Sequence, residues 1–152
     1  MSARIKAISY YLPQRVLSNE ELAALYEGWT ADKIYEKTGI KLRHIADENE
    51  CVSDLAEKAC HNLFNEYGIN PQTIDFILLV TQNPDYFLPS TSCILQHRLG
   101  VPQKSGALDI NLGCSGYVYG LAIAKSLVDS GIASNVLIVT SEIYTKRIHT
   151  MD

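Results

Sequence analysis

Residues 108–117 read LDINLGCSGY, an apolar strand that turns sharply into a helix opening on a cysteine, Cys114. Small residues dominate the stretch from Cys114 to about Ser130, which predicts a helix packed closely on all sides. Glycines at 113 and 116 would let backbone and substrate approach closely, as they do at other nucleophile-bearing turns. We therefore take this turn as the centre of the fold.

Two further apolar runs read as buried strands, IDFILLVT at residues 74–81 and NVLIVTSE at residues 135–142. A helix is predicted before each of these buried strands. Ser53 is expected to cap one that ends at Gly68, and Ser90 to cap another that stops at Gly100. This alternation predicts an α/β domain with a mostly parallel sheet flanked by helices, over residues 1–152.

The N-terminal third is predicted to begin with a strand over residues 4–11, which Pro13 ends. Ser18 and Glu21 form the pattern of a capping box before a small helix. Thr30 is placed to cap a second short helix that Gly39 closes.

The composition excludes several classes of protein. The chain of 152 residues has a net charge of −4, which argues against a general nucleic-acid binder. No apolar run reaches the roughly 18 residues of a spanning helix, and the start lacks the pattern of a signal peptide. We expect a soluble, cytoplasmic protein that binds no nucleic acid and no membrane.

The four cysteines, at 51, 60, 93 and 114, form no C-x-x-C pair and have no histidine at metal-ligand spacing, so no metal site is expected. Cys114 has two explanations from its position alone. A thiol in the first turn of a helix is favoured as a nucleophilic thiolate, but free cysteines are also commonly buried as small apolar residues. For the other three we predict packing roles.

Residues 32–44 carry a local excess of positive charge from Lys33, Lys37, Lys41 and Arg43. Such a patch is suited to phosphates or to an acidic carrier protein. It is equally typical of a solvated face.

In order and spacing, four stretches resemble the β-ketoacyl-acyl carrier protein synthase III branch of the thiolase-like condensing enzymes. They are YLP with SNE after it (11–13 and 18–20), KTGI to RHIA (37–46), LPS with Gln96 and LG beyond (88–100), and residues 111–120. The resemblance implies the N-terminal half of a thiolase-like fold, without the last strand of that half.

In that family the cysteine, here Cys114, takes an acyl group from acyl-CoA, and its amide forms half of an oxyanion hole. A carbanion from malonyl-acyl carrier protein then displaces the acyl group. The resemblance implies that substrate or CoA is bound by Lys33, Lys37, Thr38 and Arg43. It also implies that Leu88 lies on a loop that enters the acyl pocket of a partner subunit, and therefore that the protein is a homodimer. It implies no cofactor and no metal.

This sequence departs from the family pattern where Lys33 and Lys37 replace a tryptophan and an arginine, while Trp29 lies four residues before Lys33. An acyl group delivered on a carrier protein is therefore an alternative to acyl-CoA. The histidine and asparagine that promote decarboxylation belong to a second half, so we expect a fragment that does not condense by itself. Two other functions stay open: a specialised acyltransferase of polysaccharide or secondary metabolism, and a non-catalytic module that binds acyl carrier protein.

Overall fold

The computed structural model describes residues 3–146. They fall into two compact units, one formed by residues 12–50 and the other by the segment before it together with the chain from Cys51 onward. Each unit holds its own sheet. The assignment of residues 1–152 to one domain stays a prediction.

The sheet of the larger unit has three parallel strands in the order β4-β3-β5. Their bounds are Phe76–Val80 for β3, Gly106–Ile110 for β4 and Val136–Thr140 for β5. In register, the last residue of β3 pairs with the last residues of both neighbours. The predicted parallel sheet and the positions of its three strands are confirmed, but only β3 is buried along most of its length: in β4 only Ile110 is buried, and in β5 only Leu137 and Val139.

Alternate side chains of β3 are buried on opposite faces of the sheet, which is why its sequence is apolar throughout. Ile77 and Leu79 belong to a core with helices α3 (Val52–Tyr67) and α4 (Thr91–Arg98). Leu78 and Val80 belong to a second core with helix α5 (Gly116–Asp129). Helices therefore flank both faces of the sheet.

The predicted helix ends are partly confirmed. Gly68 and Gly100 have positive φ angles of 61° and 65° at the ends of α3 and α4. Ser53 does not cap α3: the helix begins at Val52, so the cap is Cys51, two residues before Ser53, and the Asp54 carboxylate accepts the Cys51 N–H at 2.7 Å.

Helix α4 has Ser90 at the predicted cap position, but the Ser90 side chain makes no capping hydrogen bond. The Asp109 carboxylate on β4 replaces it, accepting the backbone N–H groups of Thr91 at 2.8 Å and Ser92 at 2.7 Å. A carboxylate at this end of a helix also suits the helix dipole.

Helix α5 was predicted to be packed on all sides, and this is wrong: within residues 3–146 only one of its faces is buried. Its buried positions, Gly116, Gly120 and Ala124, repeat every fourth residue and form one face against the sheet. Residues 117–119, Tyr-Val-Tyr, are exposed on the other side. The small residues at these three positions let the helix approach the strands closely, whereas Ala122 and Ser126 are small but exposed.

The strand predicted over residues 4–11 is also wrong, because within residues 3–146 the segment pairs with no neighbouring strand. Side chains of α3 satisfy some of its carbonyl groups instead. The Asn62 amide donates to the Tyr10 carbonyl at 3.0 Å, and the Tyr67 hydroxyl to the Ile8 carbonyl at 3.1 Å.

The smaller unit contains an antiparallel pair of strands, β1 (Arg15–Ser18) and β2 (Leu42–Ile45), that the sequence analysis did not anticipate. Two short helices lie between them, α1 (Asn19–Ala23) and α2 (Ala31–Thr38). The predicted capping box of Ser18 and Glu21, the Thr30 cap and the Gly39 end are confirmed. Within residues 3–146, none of the helices has both the length and the apolar character needed to cross a bilayer.

Candidate active site at the carboxyl edge of the parallel sheet

The three parallel strands end together, and the segments that follow them form one site. Val80 pairs with Ile110 on one side and with Thr140 on the other, so the strand ends lie level. Ligand sites in open parallel sheets occur at such carboxyl ends, where the strand order reverses direction.

A pocket of about 470 Å³ opens at this edge. It combines an apolar wall with polar groups and a single thiol. Its lining residues are Val80, Gln82, Leu112, Gly113, Cys114, Tyr117, Thr140, Glu142 and Tyr144.

Cys114 is exposed and lies in the turn between β4 and α5. The turn is closed by a hydrogen bond from the Gly116 N–H to the Gly113 carbonyl at 2.8 Å. Helix α5 begins at Gly116 with Ser115 as its cap, so Cys114 precedes the helix instead of lying in its first turn as expected. The alternative of a buried, packed Cys114 is wrong for this structure.

The glycines beside Cys114 lie at points of close approach, as predicted. A methyl group on Gly116 would lie 2.4 Å from Val80 Cγ1 and 3.1 Å from Leu112 Cβ. A methyl group on Gly113 would lie 2.5 Å from Oε1 of Gln82. Distances of 2.4 and 2.5 Å are far below an ordinary contact, so the turn carrying the thiol lies directly against Val80 at the end of β3 and against the side chain of Gln82, two residues further along the chain.

Glu142 joins two sides of the pocket and was not singled out from the sequence. Its Oε1 accepts the backbone N–H of Gln82 at 2.6 Å, and its Oε2 accepts the side-chain amide of Asn83 at 2.6 Å. The available signal was the position of polar residues directly after buried parallel strands, where side chains from different strands converge.

The other cysteines divide into two groups. Cys60 is 3% exposed, and burial, together with Glu57, raises the pKa of its thiol to about 12, so the predicted packing role is confirmed. Cys51 and Cys93 are exposed, and the packing role predicted for them is wrong. Cys93 Sγ lies 3.1 Å from the Ser90 hydroxyl at the start of α4. Within residues 3–146, no group of three or more potential ligands is arranged to hold a metal ion.

Two of the predicted binding lysines, Lys33 and Lys37, lie one turn apart on α2 of the smaller unit, both exposed. The Lys33 ammonium lies 4.8 Å from the centre of the Trp29 ring and donates to the Gly28 carbonyl at 3.0 Å. Trp29, the residue displaced from the family position, is therefore in contact with the lysine of this patch.

Thr38 and Arg43, the other predicted binding residues, both have partners within the smaller unit. The Thr38 hydroxyl donates to the Ile34 carbonyl at 2.8 Å and accepts the Ile40 N–H at 3.1 Å. The Arg43 guanidinium donates to the Asn19 side chain at 2.6 Å. Both side chains help to hold the end of α2 and strand β2 in place.

Leu88 lies in the loop between β3 and α4, where Tyr86, Phe87 and Leu88 are 62%, 96% and 79% exposed. The base of the loop is fixed to the larger unit. Asp85 accepts the Ser53 N–H at 3.2 Å through its carboxylate, and its own N–H donates to the Thr91 hydroxyl at 2.9 Å. The loop therefore presents three large apolar side chains from an anchored base.

Comparison with known proteins gives the relatives of this chain. The family model for 3-oxoacyl-[acyl-carrier-protein] synthase III matches residues 108–152, the part that contains Cys114. The β-ketoacyl-[acyl-carrier-protein] synthase III of Caldanaerobacter subterraneus subsp. tengcongensis is 39% identical over 100% of this chain and 45% of its own length. The same enzyme of Campylobacter jejuni subsp. doylei is 43% identical over 93% of this chain and 44% of its own length.

The fold leads to the same proteins. The crystal structure of a 3-oxoacyl-(acyl-carrier protein) synthase from Burkholderia xenovorans LB400 superimposes with a TM-score of 0.93 at 32% identity, over 100% of this chain and 44% of that one. The chain thus spans less than half the length of the relatives it matches. Over that span, in sequence and in fold, the chain is similar to the N-terminal part of the β-ketoacyl-[acyl-carrier-protein] synthase III enzymes.

Proposed function

We propose that the protein is an acyltransferase of the β-ketoacyl-acyl carrier protein synthase III type, with Cys114 as the residue that takes up the acyl group. One observation carries the proposal: Cys114 is an exposed thiol in a pocket at the carboxyl edge of the sheet. It also lies within the residues that the family model matches.

In the first half-reaction, the Cys114 sulfur attacks the carbonyl carbon of an acyl thioester. A new carbon–sulfur bond forms, the bond to the donor's sulfur breaks, and the proton of the Cys114 thiol passes to the departing thiolate. Negative charge develops on the carbonyl oxygen in between. The backbone N–H of Cys114 is proposed as one of the donors that stabilise it.

In the second half-reaction, malonyl-acyl carrier protein loses carbon dioxide, and the resulting carbanion attacks the acyl group on Cys114. The product is a β-ketoacyl-acyl carrier protein, and the cysteine thiol is released after protonation. Acyl-CoA and acyl carrier protein are thus the proposed partners, in a cytoplasmic homodimer whose Leu88 loop reaches the neighbouring acyl pocket.

The basic face of α2 is proposed to receive the phosphate-bearing part of the donor. Lys33 and Lys37 are exposed on one side of the helix, and ammonium groups bind phosphate as point charges. Lys33→Ala with Lys37→Ala is expected to raise KM for the donor with little change in kcat. If KM for acyl-CoA stays unchanged while KM for an acylated carrier protein rises, the carrier protein is the natural donor.

The proposed function is tested by incubating the full-length protein with acyl-CoA and measuring its intact mass. We expect one acyl adduct, lost in Cys114→Ala and retained in Cys93→Ala, the matched substitution at another exposed thiol. An adduct that persists in Cys114→Ala, or the absence of any adduct, would refute the proposal. Loading of the cysteine without condensation activity would limit the protein to the first half-reaction.

A further inference from the structure

Gln82 holds a fixed place at the rim of the pocket because its backbone is anchored from two directions. Glu142 accepts its N–H at 2.6 Å. The residues on either side, Thr81 and Asn83, are 1% and 7% exposed and joined by a hydrogen bond of 3.0 Å from the Asn83 N–H to the Thr81 hydroxyl. These contacts fix the backbone from which the Gln82 side chain reaches the pocket.

The side-chain amide of Gln82 lies against Gly113, the residue before the thiol. A methyl group on Gly113 would lie 2.5 Å from Gln82 Oε1, 2.8 Å from its Cδ and 3.2 Å from its Nε2. The whole amide plane therefore covers the backbone next to Cys114. Gln82 and Cys114 line the same pocket, so an acyl group held there on Cys114 lies beside this amide.

Within residues 3–146, the Gln82 side chain forms no hydrogen bond to another protein group, so in the open pocket water satisfies it. Val80, Leu112 and Tyr117 supply apolar surface around the same space. A plain alkyl chain would displace that water and give the amide nothing in return, which is a cost to binding. A chain bearing an oxygen at this point would replace the lost hydrogen bonds.

We infer that Gln82 is a specificity-determining residue that favours acyl groups carrying a hydroxyl or carbonyl oxygen near the thioester, such as 3-hydroxyacyl groups, over plain alkyl chains. The inference rests on the proposed loading of Cys114 and names the class of acyl group that the same pocket selects. Sites that hydrogen-bond a substrate group discriminate against analogues lacking it, since the protein's polar group is then left unpaired.

The test compares two donors of equal chain length, butyryl-CoA and 3-hydroxybutyryl-CoA, by the initial rate of adduct formation on the full-length protein. Wild type is expected to load the hydroxylated chain about tenfold faster, the equivalent of one net hydrogen bond. Gln82→Met, which keeps the length and removes the amide, is expected to lose that preference. Gln103→Met is the matched control at an exposed glutamine outside the pocket lining, and it should keep the preference.

Each rate ratio is measured within one protein preparation, so a partly unfolded variant does not alter it. Equal or faster loading of butyryl-CoA by wild type, or an unchanged ratio in Gln82→Met, would overturn the inference while leaving Cys114 as the acyl acceptor. If neither donor forms an adduct, the proposed function fails and the inference fails with it.

Discussion

Gly116 lies so close to Val80 that one added methyl group would stand 2.4 Å from Val80 Cγ1. Val80 is 4% exposed and belongs to the core on the α5 side of the sheet, so it has little room to move away. We expect Gly116→Ala to lower the free energy of unfolding by about 1–3 kcal/mol through overpacking. Urea denaturation of both proteins measures this, and an unchanged midpoint would contradict the packing described.

Gly113→Ala is expected to behave differently, because its added methyl group meets the end of a flexible side chain. The nearest atom is Gln82 Oε1 at 2.5 Å, which can swing away at small cost. Stability should therefore change less than in Gly116→Ala, whereas the relative rates of loading hydroxylated and plain acyl groups should shift as the amide is displaced. A large loss of stability in Gly113→Ala would show that the Gln82 side chain is held more firmly than its contacts indicate.

The cysteines should differ in their reaction with iodoacetamide. Cys60 is expected to react last, because burial raises its pKa to about 12 and only 3% of the residue is exposed. At about pH 8 almost none of it is thiolate. Cys114 is expected to react faster than Cys51 and Cys93, and peptide mapping over time measures all four.

Equal rates at the exposed cysteines would count against Cys114 as the nucleophile that accepts the acyl group. Rapid labelling of Cys60 in the folded protein would contradict its burial. Labelling in denaturant, where burial no longer distinguishes the cysteines, is the control.

The start of α3 should make stability depend on pH. Partial burial raises the pKa of Asp54, but hydrogen bonds from the Cys51 N–H and the Arg98 guanidinium outweigh it and hold that pKa below its ordinary value of 3.8. A carboxyl group whose pKa is lower in the folded state contributes stability above its ordinary pKa, and loses it as the pH falls through the folded value. Asp54→Asn should cost about 1 kcal/mol near neutral pH, and less below about pH 4.

The measurement is urea denaturation of wild type and Asp54→Asn at both pH values. Glu66→Gln, an exposed acidic position on the same helix, is the control and should show a smaller difference. A difference that stays constant down to acidic pH would mean that the charge on Asp54 is not what stabilises the helix start.

The parallel sheet could be predicted because each strand carries its own signal. The residues of β3 are apolar throughout since both of its faces are covered, and the chain alone reveals that. The pairing of β1 with β2 could not be predicted in this way, because four-residue strands with mixed burial leave little pattern. The segment before β1 shows the reverse: its β-branched and aromatic residues favour a strand, but a strand needs a neighbour that the described residues do not supply.

The site was predictable to a similar degree. Cys114 follows Gly113 directly and lies two residues before Gly116, so the sequence itself indicates the tight turn that carries the thiol. Gln82 and Glu142 are separated by 60 positions and meet only because β3 and β5 are neighbours in register. Nothing in the sequence of either segment indicates that pairing.

The level ending of the three strands has a consequence for how such a protein diversifies. Val80, Ile110 and Thr140 end the three strands at the same level. Each strand is therefore followed at the pocket by its own short segment, and none of these segments interrupts the sheet. Substitutions in these segments are expected to reshape the acyl group that the pocket accepts while the inherited scaffold stays intact. New substrate preferences can then arise one segment at a time.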